Sequence, residues 1–210
     1  MSKSFLQKLI DMDSQKPNIY SSMSKIYLKE GDINNALKIL SEGRNRFSDN
    51  QALVNEEVNL YIELGKTEEL VNKLSENIIK YPENDTYLVI RGTCYQNSND
   101  IERSIVDYKS ALSINPDNLT ALNNISSCYL KQTESIIKDL NKLSYKQTTK
   151  HKKYKSELKG IHLSALPYLE HYISLEPTNK QLLTVLAEIY YKLDMYDKSK
   201  QTKSKLAELK

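Results

Sequence analysis

The sequence has few of the residues that interrupt helices. Its 210 residues include five glycines and five prolines, which disfavours an all-β fold and favours helices joined by short turns. Tryptophan is absent and phenylalanine occurs twice, so the fifteen tyrosines must occupy most of the large aromatic positions. No apolar run is long enough for a membrane anchor or a signal peptide. We therefore expect a soluble protein, cytoplasmic as the chain stands, and exported or periplasmic if a signal peptide has been removed.

Residues that commonly carry catalytic or metal chemistry are also scarce. The two cysteines, Cys94 and Cys128, form neither a CxxC pair nor a disulfide framework. The three histidines, His151, His162 and His171, are not spaced as a metal-binding pair on one helical turn. A glycine-rich phosphate loop and a nucleophile motif are likewise missing from the sequence. We expect a protein that is not an enzyme and that needs no cofactor or metal.

The dominant pattern is a repeat of 34 residues, which becomes visible when Pro17 is taken as position 1. Apolar residues recur at positions 4, 7 and 11 and again at 20, 24, 27 and 28, and this spacing predicts two amphipathic helices in each repeat. Small residues at positions 8 and 20 allow the two helices to approach closely. Gly31 and Gly65 fall at position 15, which predicts a turn with positive φ between the helices. Asparagines suited to capping the next helix recur at position 34: Asn50, Asn84, Asn118 and Asn179.

A row of tyrosines recurs at position 11 of the repeats. We interpret this row as part of the core and not as an aromatic binding stripe, because position 11 lies on the apolar side of the first helix. Cys94 and Cys128 both fall at position 10, where they are expected to fill space in the core. The members of the row are Tyr27, Tyr61, Tyr95, Tyr129 and Tyr190.

The third repeat, "DTYLVIRGTCYQNSNDIERSIVDYKSALSINPDN", resembles a tetratricopeptide (TPR) repeat, with Leu88 at position 4, Gly92 at 8, Tyr95 at 11, Tyr108 at 24 and Pro116 at 32. This resemblance implies an all-α, right-handed superhelical solenoid of about five helix pairs plus an N-terminal capping helix. The expected single domain, 1–210, comprises the capping helix and five repeats, at 1–16, 17–50, 51–84, 85–118, 119–179 and 180–210.

The fourth repeat contains an insertion near 134–160. Its first helix is in register, but Ala165, which suits position 20, lies 27 residues beyond the expected place. Apolar residues at helical spacing continue through the insertion on both sides, so we expect both helices to be lengthened into a hairpin that turns near "SYKQTT". From 119 to 210 the sequence is similar to the C-terminal part of a group of bacterial, often exported, TPR proteins that carry a lengthened hairpin in the penultimate repeat.

The insertion carries the positive charge of the protein. Residues 134–161 contain eight lysines and three acidic residues, a net charge of +5, whereas the whole chain has a net charge of +3. Lys152, Lys155 and Lys159 share a helix face separate from that of Tyr154 and Leu158, and they form a candidate basic docking face. The competing interpretation is that water alone solvates these lysines.

The expected function is that of a non-catalytic scaffold that binds a peptide or helix of unknown identity on the concave face, which the first helices of TPR repeats line. The alternatives are oligomerisation, or docking of an acidic partner or nucleic acid through the hairpin at 134–160. Nucleic acid is the less expected partner. A carboxylate clamp is disfavoured because Glu56 and Ile90 occupy positions where clamp residues would be needed. The candidate groove residues are Lys25, Asn55, Asn59, Thr93, Asn97, Asn123, Ser127 and Glu188.

Overall fold

The computed structural model describes residues 2–12, 14–47, 50–144 and 146–209, and most of them are helical. The all-α fold class is therefore confirmed. The described residues form eleven helices: α1 (Lys3–Asp11), α2 (Asn18–Lys29), α3 (Ile33–Arg46), α4 (Gln51–Glu63), α5 (Thr67–Lys80), α6 (Asp85–Asn97), α7 (Ile101–Ile114), α8 (Leu119–Lys142), α9 (Thr148–Leu175), α10 (Lys180–Lys192) and α11 (Tyr196–Glu208). The chain divides into two compact units, an N-terminal unit at Met1–Asn99 and a C-terminal unit at Asp100–Lys210.

The N-terminal unit is built from α1 to α6, with α2 packed on α3, α3 on α4, and α5 on α6. The apolar sides of these helices meet in one core that includes Met23, Leu40, Leu53 and Leu74. Helix α1 packs on α2 and contributes Leu6, which is fully buried. The short first helix thus covers apolar surface that α2 would otherwise expose to water.

The C-terminal unit is built around the long pair α8 and α9, which contain 24 and 28 residues. Helix α9 also packs on α10, and α10 packs on α11, around a core that includes Leu169, Leu183 and Leu186. Both α8 and α9 run into the expected insertion, and the chain reverses between residue 142 and residue 148. Helix α9 continues through Pro167.

A single carboxylate joins three helices of the C-terminal unit. Glu170 on α9 accepts a hydrogen bond from the Tyr190 hydroxyl on α10 at 2.6 Å, and its Oε1 lies 3.1 Å from the Lys198 ammonium on α11. Burial and the adjacent carboxylate raise the pKa of Tyr190, so its hydroxyl keeps the proton that it donates. Burial opposes ionisation of Glu170, but these two hydrogen bonds prevail and lower its pKa.

Asparagine caps begin four of the helices, as the sequence predicts. The side-chain oxygen of Asn50 accepts from the backbone N–H of Leu53 at 3.0 Å, and that of Asn179 accepts from Leu182 at 3.0 Å. Asn84 and Asn118 cap α6 and α8 in the same way. Each cap satisfies a backbone donor that has no partner within its helix, which typically contributes about 1 kcal/mol.

The turns between paired helices use the left-handed backbone region. Gly31 and Gly65 have φ values of 75° and 66°, which confirms the prediction made from their position in the repeat. Asn99 and Asp194 stand at the same position of later repeats, with φ values of 62° and 63°. Asparagine and aspartate tolerate this region better than other residues with a side chain. The turn geometry is therefore maintained without glycine.

Two glycine substitutions are expected to change stability in opposite directions. Gly65→Ala should destabilise the protein by about 1 kcal/mol, because an alanine is strained at positive φ even though its Cβ would meet no atom within 4 Å. Gly160→Ala should stabilise it by about 0.5–1 kcal/mol, because Gly160 lies inside α9 and its added Cβ also meets open space. Urea unfolding followed by circular dichroism measures both. Unchanged or increased stability of Gly65→Ala would contradict the assignment of strain to the turn, and a loss in Gly160→Ala would contradict the open space at that position.

Stability of the C-terminal unit should fall in mild acid through His162. This side chain is only 4% exposed, and burial together with the nearby Lys192 charge lowers its pKa. The folded state therefore binds a proton less readily than the unfolded state, so stability is lost as the pH falls below the ordinary histidine pKa of about 6.5. His162→Gln should flatten the dependence of the melting temperature between about pH 7 and pH 5. His151→Gln, on the hairpin, is the control and should keep the wild-type dependence.

Candidate functional site

A polar surface joins the first helices of the N-terminal unit. The Lys25 ammonium on α2 lies 3.3 Å from a carboxylate oxygen of Glu56 on α4. Asn59, one turn further along α4, accepts a hydrogen bond at 3.0 Å from the side-chain amide of Asn97 on α6. These two contacts link α2 to α4 and α4 to α6. We call this surface the first-helix face, and it comprises Ser21, Lys25, Asn55, Glu56, Asn59 and Asn97.

Most polar groups of the first-helix face are exposed to solvent. The side chains of Lys25 and Glu56 are 68% and 36% exposed. An ion pair so accessible to water contributes little to stability, so a ligand can displace it at low cost. Asn59 and Asn97 are exposed as well, whereas Asn55 is half-buried.

A cavity of about 670 Å³ adjoins Lys25 and Glu56. It lies between α2 and α4, and its apolar lining includes Pro17, which is half-buried, and Ala52, which is exposed. The cavity therefore combines an apolar wall with an ion pair at its margin, which suits a side chain that has both an apolar and a polar part. Its lining residues on the two helices also include Asn18, Ser21, Ser22 and Leu53.

The remaining groove candidates belong to the C-terminal unit. Asn123 and Ser127 lie one turn apart on α8, and the Ser127 hydroxyl donates to the Asn123 carbonyl at 3.0 Å. The Asn123 side-chain amide donates to the Asn124 side chain at 3.3 Å. Both Asn123 and Ser127 are half-buried, and Glu188 on α10 is exposed. Much of the hydrogen-bonding capacity of this group is thus directed within α8.

Thr93 does not belong to a solvent-facing groove, and its prediction as a groove residue is wrong. Its side chain is only 3% exposed, and its hydroxyl donates to the Val89 carbonyl at 2.9 Å. A threonine can satisfy its hydroxyl on the carbonyl four residues earlier in its own helix, which allows it to be buried. The prediction relied only on the polarity of Thr93, which does not distinguish an exposed threonine from a buried one.

Glu56 is a site residue that the sequence did not predict. Its position in the repeat indicated only that a carboxylate clamp is disfavoured. Its pairing with Lys25 depends on which turns of α2 and α4 lie side by side. A partial signal was present in the sequence. Lys25 lies at position 9 of the first repeat and Glu56 at position 6 of the second, and these two positions are about one helical turn apart.

The candidate basic docking face lies on the exposed part of α9. Lys152, Lys155 and Lys159 are exposed, while Tyr154 and Leu158 are half-buried. The Lys159 ammonium lies 3.6 Å from a carboxylate oxygen of Asp194, in the turn between α10 and α11. Lys159 is therefore partly engaged within the C-terminal unit.

The described part of the chain shows no grouping of three or more histidine, cysteine, aspartate or glutamate side chains arranged to hold a metal ion. Cys94 and Cys128 are both buried, and they do not form a disulfide with each other. Burial raises the pKa of the Cys128 thiol, whose sulfur lies 3.2 Å from the Ser104 hydroxyl. Within residues 2–12, 14–47, 50–144 and 146–209, no helix has the length and apolar character needed to cross a membrane.

Comparison with known proteins identifies the kind of repeat. A family model described as tetratricopeptide repeat matches residues 86–118, and no curated protein sequence matches the chain. Among solved structures, a MamA protein is 14% identical with a TM-score of 0.54, and the match covers 92% of this chain and 91% of that one. A MamA from Desulfovibrio magneticus RS-1 is 13% identical with a TM-score of 0.50, and the match covers 93% and 96% of the two chains.

A human IFIT1 structure with m7Gppp-AAAA is 15% identical with a TM-score of 0.59, and the match covers 98% of this chain but only 45% of that one. At such identities these likenesses concern the fold. Together with the matched repeat and the paired helices, they define the chain as an all-α repeat protein with a TPR-like solenoid fold.

The two cysteines should be inert in the folded protein. Because both side chains have 0% exposure, a thiol reagent should modify them only after denaturation. A Ser156→Cys variant, which places a thiol at an exposed position of α9, should react at once and serves as the positive control. Mass spectrometry of the labelled protein measures the extent of reaction. Rapid labelling of native Cys94 or Cys128 would contradict their burial.

Proposed function

We propose that the protein is a non-catalytic interaction scaffold that holds an extended peptide on the first-helix face of the N-terminal unit. The observation that carries this proposal is the exposed amide pair formed by Asn59 and Asn97 across two first helices. TPR proteins typically mediate protein interactions, and the fold makes this the natural class of function.

The amide pair retains capacity for a peptide backbone. The hydrogen bond between the two side chains uses one N–H of Asn97 and one lone pair of Asn59. A carboxamide offers two N–H donors and one oxygen acceptor, so the amide nitrogen of Asn59 and the oxygen of Asn97 can still bond. An extended peptide presents N–H and C=O groups of both kinds, and the pair can donate to one and accept from the other. Such contacts recognise backbone and tolerate many sequences.

The ion pair and cavity add side-chain selection to this backbone recognition. A charged peptide side chain can exchange with Lys25 or Glu56, since both are accessible, while its apolar stem contacts Ala52 in the cavity. We therefore expect preferred peptides to carry a long charged side chain near a residue that bonds to the amide pair. Asn55 lies on α4 between these two groups.

Two other functions are less well supported at this face. The capped RNA fragment named with the human IFIT1 structure belongs to that protein, and the low identity transfers only the fold. The first-helix face has one lysine and one glutamate, so it lacks the excess of positive charge typical of RNA-binding surfaces. For catalysis it offers a displaceable ion pair and amides, without a nucleophile beside a base.

A peptide array with matched variants tests the proposal. The Asn59→Ala/Asn97→Ala double variant should bind the best peptide at least about tenfold more weakly than wild type, since it loses two or more hydrogen bonds of about 1 kcal/mol each. The control is Asn34→Ala/Asn72→Ala, which removes two exposed asparagines from α3 and α5 and should bind as wild type.

The affinity for that peptide is measured in solution by fluorescence anisotropy, with circular dichroism to verify that each variant is folded. N-methylation of the peptide backbone at the bonding residue should weaken binding to the wild type but have little further effect on the double variant. Equal affinities of the double variant and its control would falsify the proposal.

A further inference from the structure

The end of the α8–α9 hairpin carries a concentration of lysines that the proposed function does not use. We call residues 138–155 the hairpin tip. It contains seven lysines and one acidic residue, Asp139, a net charge of +6 with His151 counted as neutral. Its lysines are Lys138, Lys142, Lys146, Lys150, Lys152, Lys153 and Lys155.

The hairpin tip lies beyond the packed part of the C-terminal unit. Thr133 is the last buried residue of α8, and His162 is the first buried residue of α9. Every described residue between these two is exposed or half-buried. With a rise of 1.5 Å per residue, α8 extends about 14 Å past Thr133. The tip is thus a two-helix rod whose end is accessible to a large partner.

The lysines of the hairpin tip do not all lie on one side of the rod. On α9, Lys152 and Lys155 share one side of the helix, whereas Lys150 and Lys153 lie on a nearly opposite side, because each residue turns the helix by about 100°. Lys138 and Lys142 add a turn-to-turn pair on α8. Positive charge is therefore presented on more than one side of the tip.

Two lysines of the tip lie beside exposed carboxylates. Lys142 lies 3.1 Å from Asp139, and Lys153 lies 3.8 Å from Glu157. All four side chains are at least 40% exposed, so both pairs are weak and their lysines can turn toward another anion. The tip is therefore strongly attractive to an anionic surface at moderate salt.

The chemistry of the tip favours a diffuse anionic surface over a shaped one. Residues 138–155 contain no arginine, the residue whose planar fork suits specific phosphate or carboxylate recognition. Leu140, Leu143 and Tyr154 are half-buried, so they are poor anchors for a tight protein interface. A linear partner such as an acidic peptide or a nucleic acid duplex would use charges on only one side of the rod. A flat, fluid anionic layer that meets the end of the rod can contact lysines on both sides of α9.

We propose that the hairpin tip docks end-on against an anionic lipid bilayer. The lysines contact the headgroups and the apolar residues stay outside the hydrocarbon, so the contact is reversible and depends on salt. Each lysine near such a surface strengthens binding by about fivefold. This docking is independent of peptide binding on the first-helix face.

Vesicle sedimentation with the full chain tests the proposal. Wild-type protein should bind vesicles of phosphatidylcholine with about 30% phosphatidylserine, should not bind phosphatidylcholine alone, and should be released at high salt. The Lys150→Gln/Lys152→Gln/Lys155→Gln variant should bind about 100-fold more weakly, in keeping with the loss of three lysines. The same three positions changed to arginine should retain binding, because the charge is kept.

The matched control is Lys180→Gln/Lys200→Gln/Lys205→Gln, which removes the same charge from exposed positions on α10 and α11. This variant should bind within about threefold of wild type, because its lysines lie outside the tip. An equal loss in both glutamine variants would overturn the proposal, since binding would then follow net charge alone. Failure to bind the anionic vesicles would also overturn it, including the case in which a short DNA duplex or an acidic peptide binds through the tip lysines.

Discussion

The fold depends on one constraint: a pair of amphipathic helices cannot cover its own apolar surface and needs a neighbouring helix to do so. In the N-terminal unit α1 meets this need at one side by placing Leu6 against α2. The residue at position 24, in the second helix of each repeat, is also covered by neighbouring helices. The residues at this position are buried in four repeats: Leu40, Leu74, Tyr108 and Leu169. The equivalent residue of the last helix pair, Lys203, is exposed, so α11 turns a polar side to water.

The same constraint separates what the sequence could predict from what it could not. Apolar spacing and capping asparagines depend on local chemistry, and both appear in the structure as expected. The left-handed turns were predictable at Gly31 and Gly65, where glycine marks them. They were not predictable from composition at Asn99 and Asp194, where the repeat imposes the same conformation on residues that only tolerate it.

The candidate site was predictable only in part, because it depends on which turns of neighbouring helices meet. Position in the repeat indicated Lys25, Asn59 and Asn97 as polar residues of first helices. It did not reveal that the two asparagines bond to each other or that Lys25 pairs with Glu56. Thr93 shows the converse, since a hydroxyl bonded within its own helix behaves as a buried residue.

Helix α9 has a mechanical consequence because it is continuous for 28 residues, a length of about 42 Å. Its first turns form one side of the hairpin tip, and its last turns carry Leu169 in the core and Glu170 in its bonds to α10 and α11. The helix continues through Gly160 and Pro167 between these ends. The hairpin tip and the Glu170 contacts with Tyr190 and Lys198 are therefore connected by one continuous helix, so a displacement of the tip would be carried along α9 toward α10 and α11.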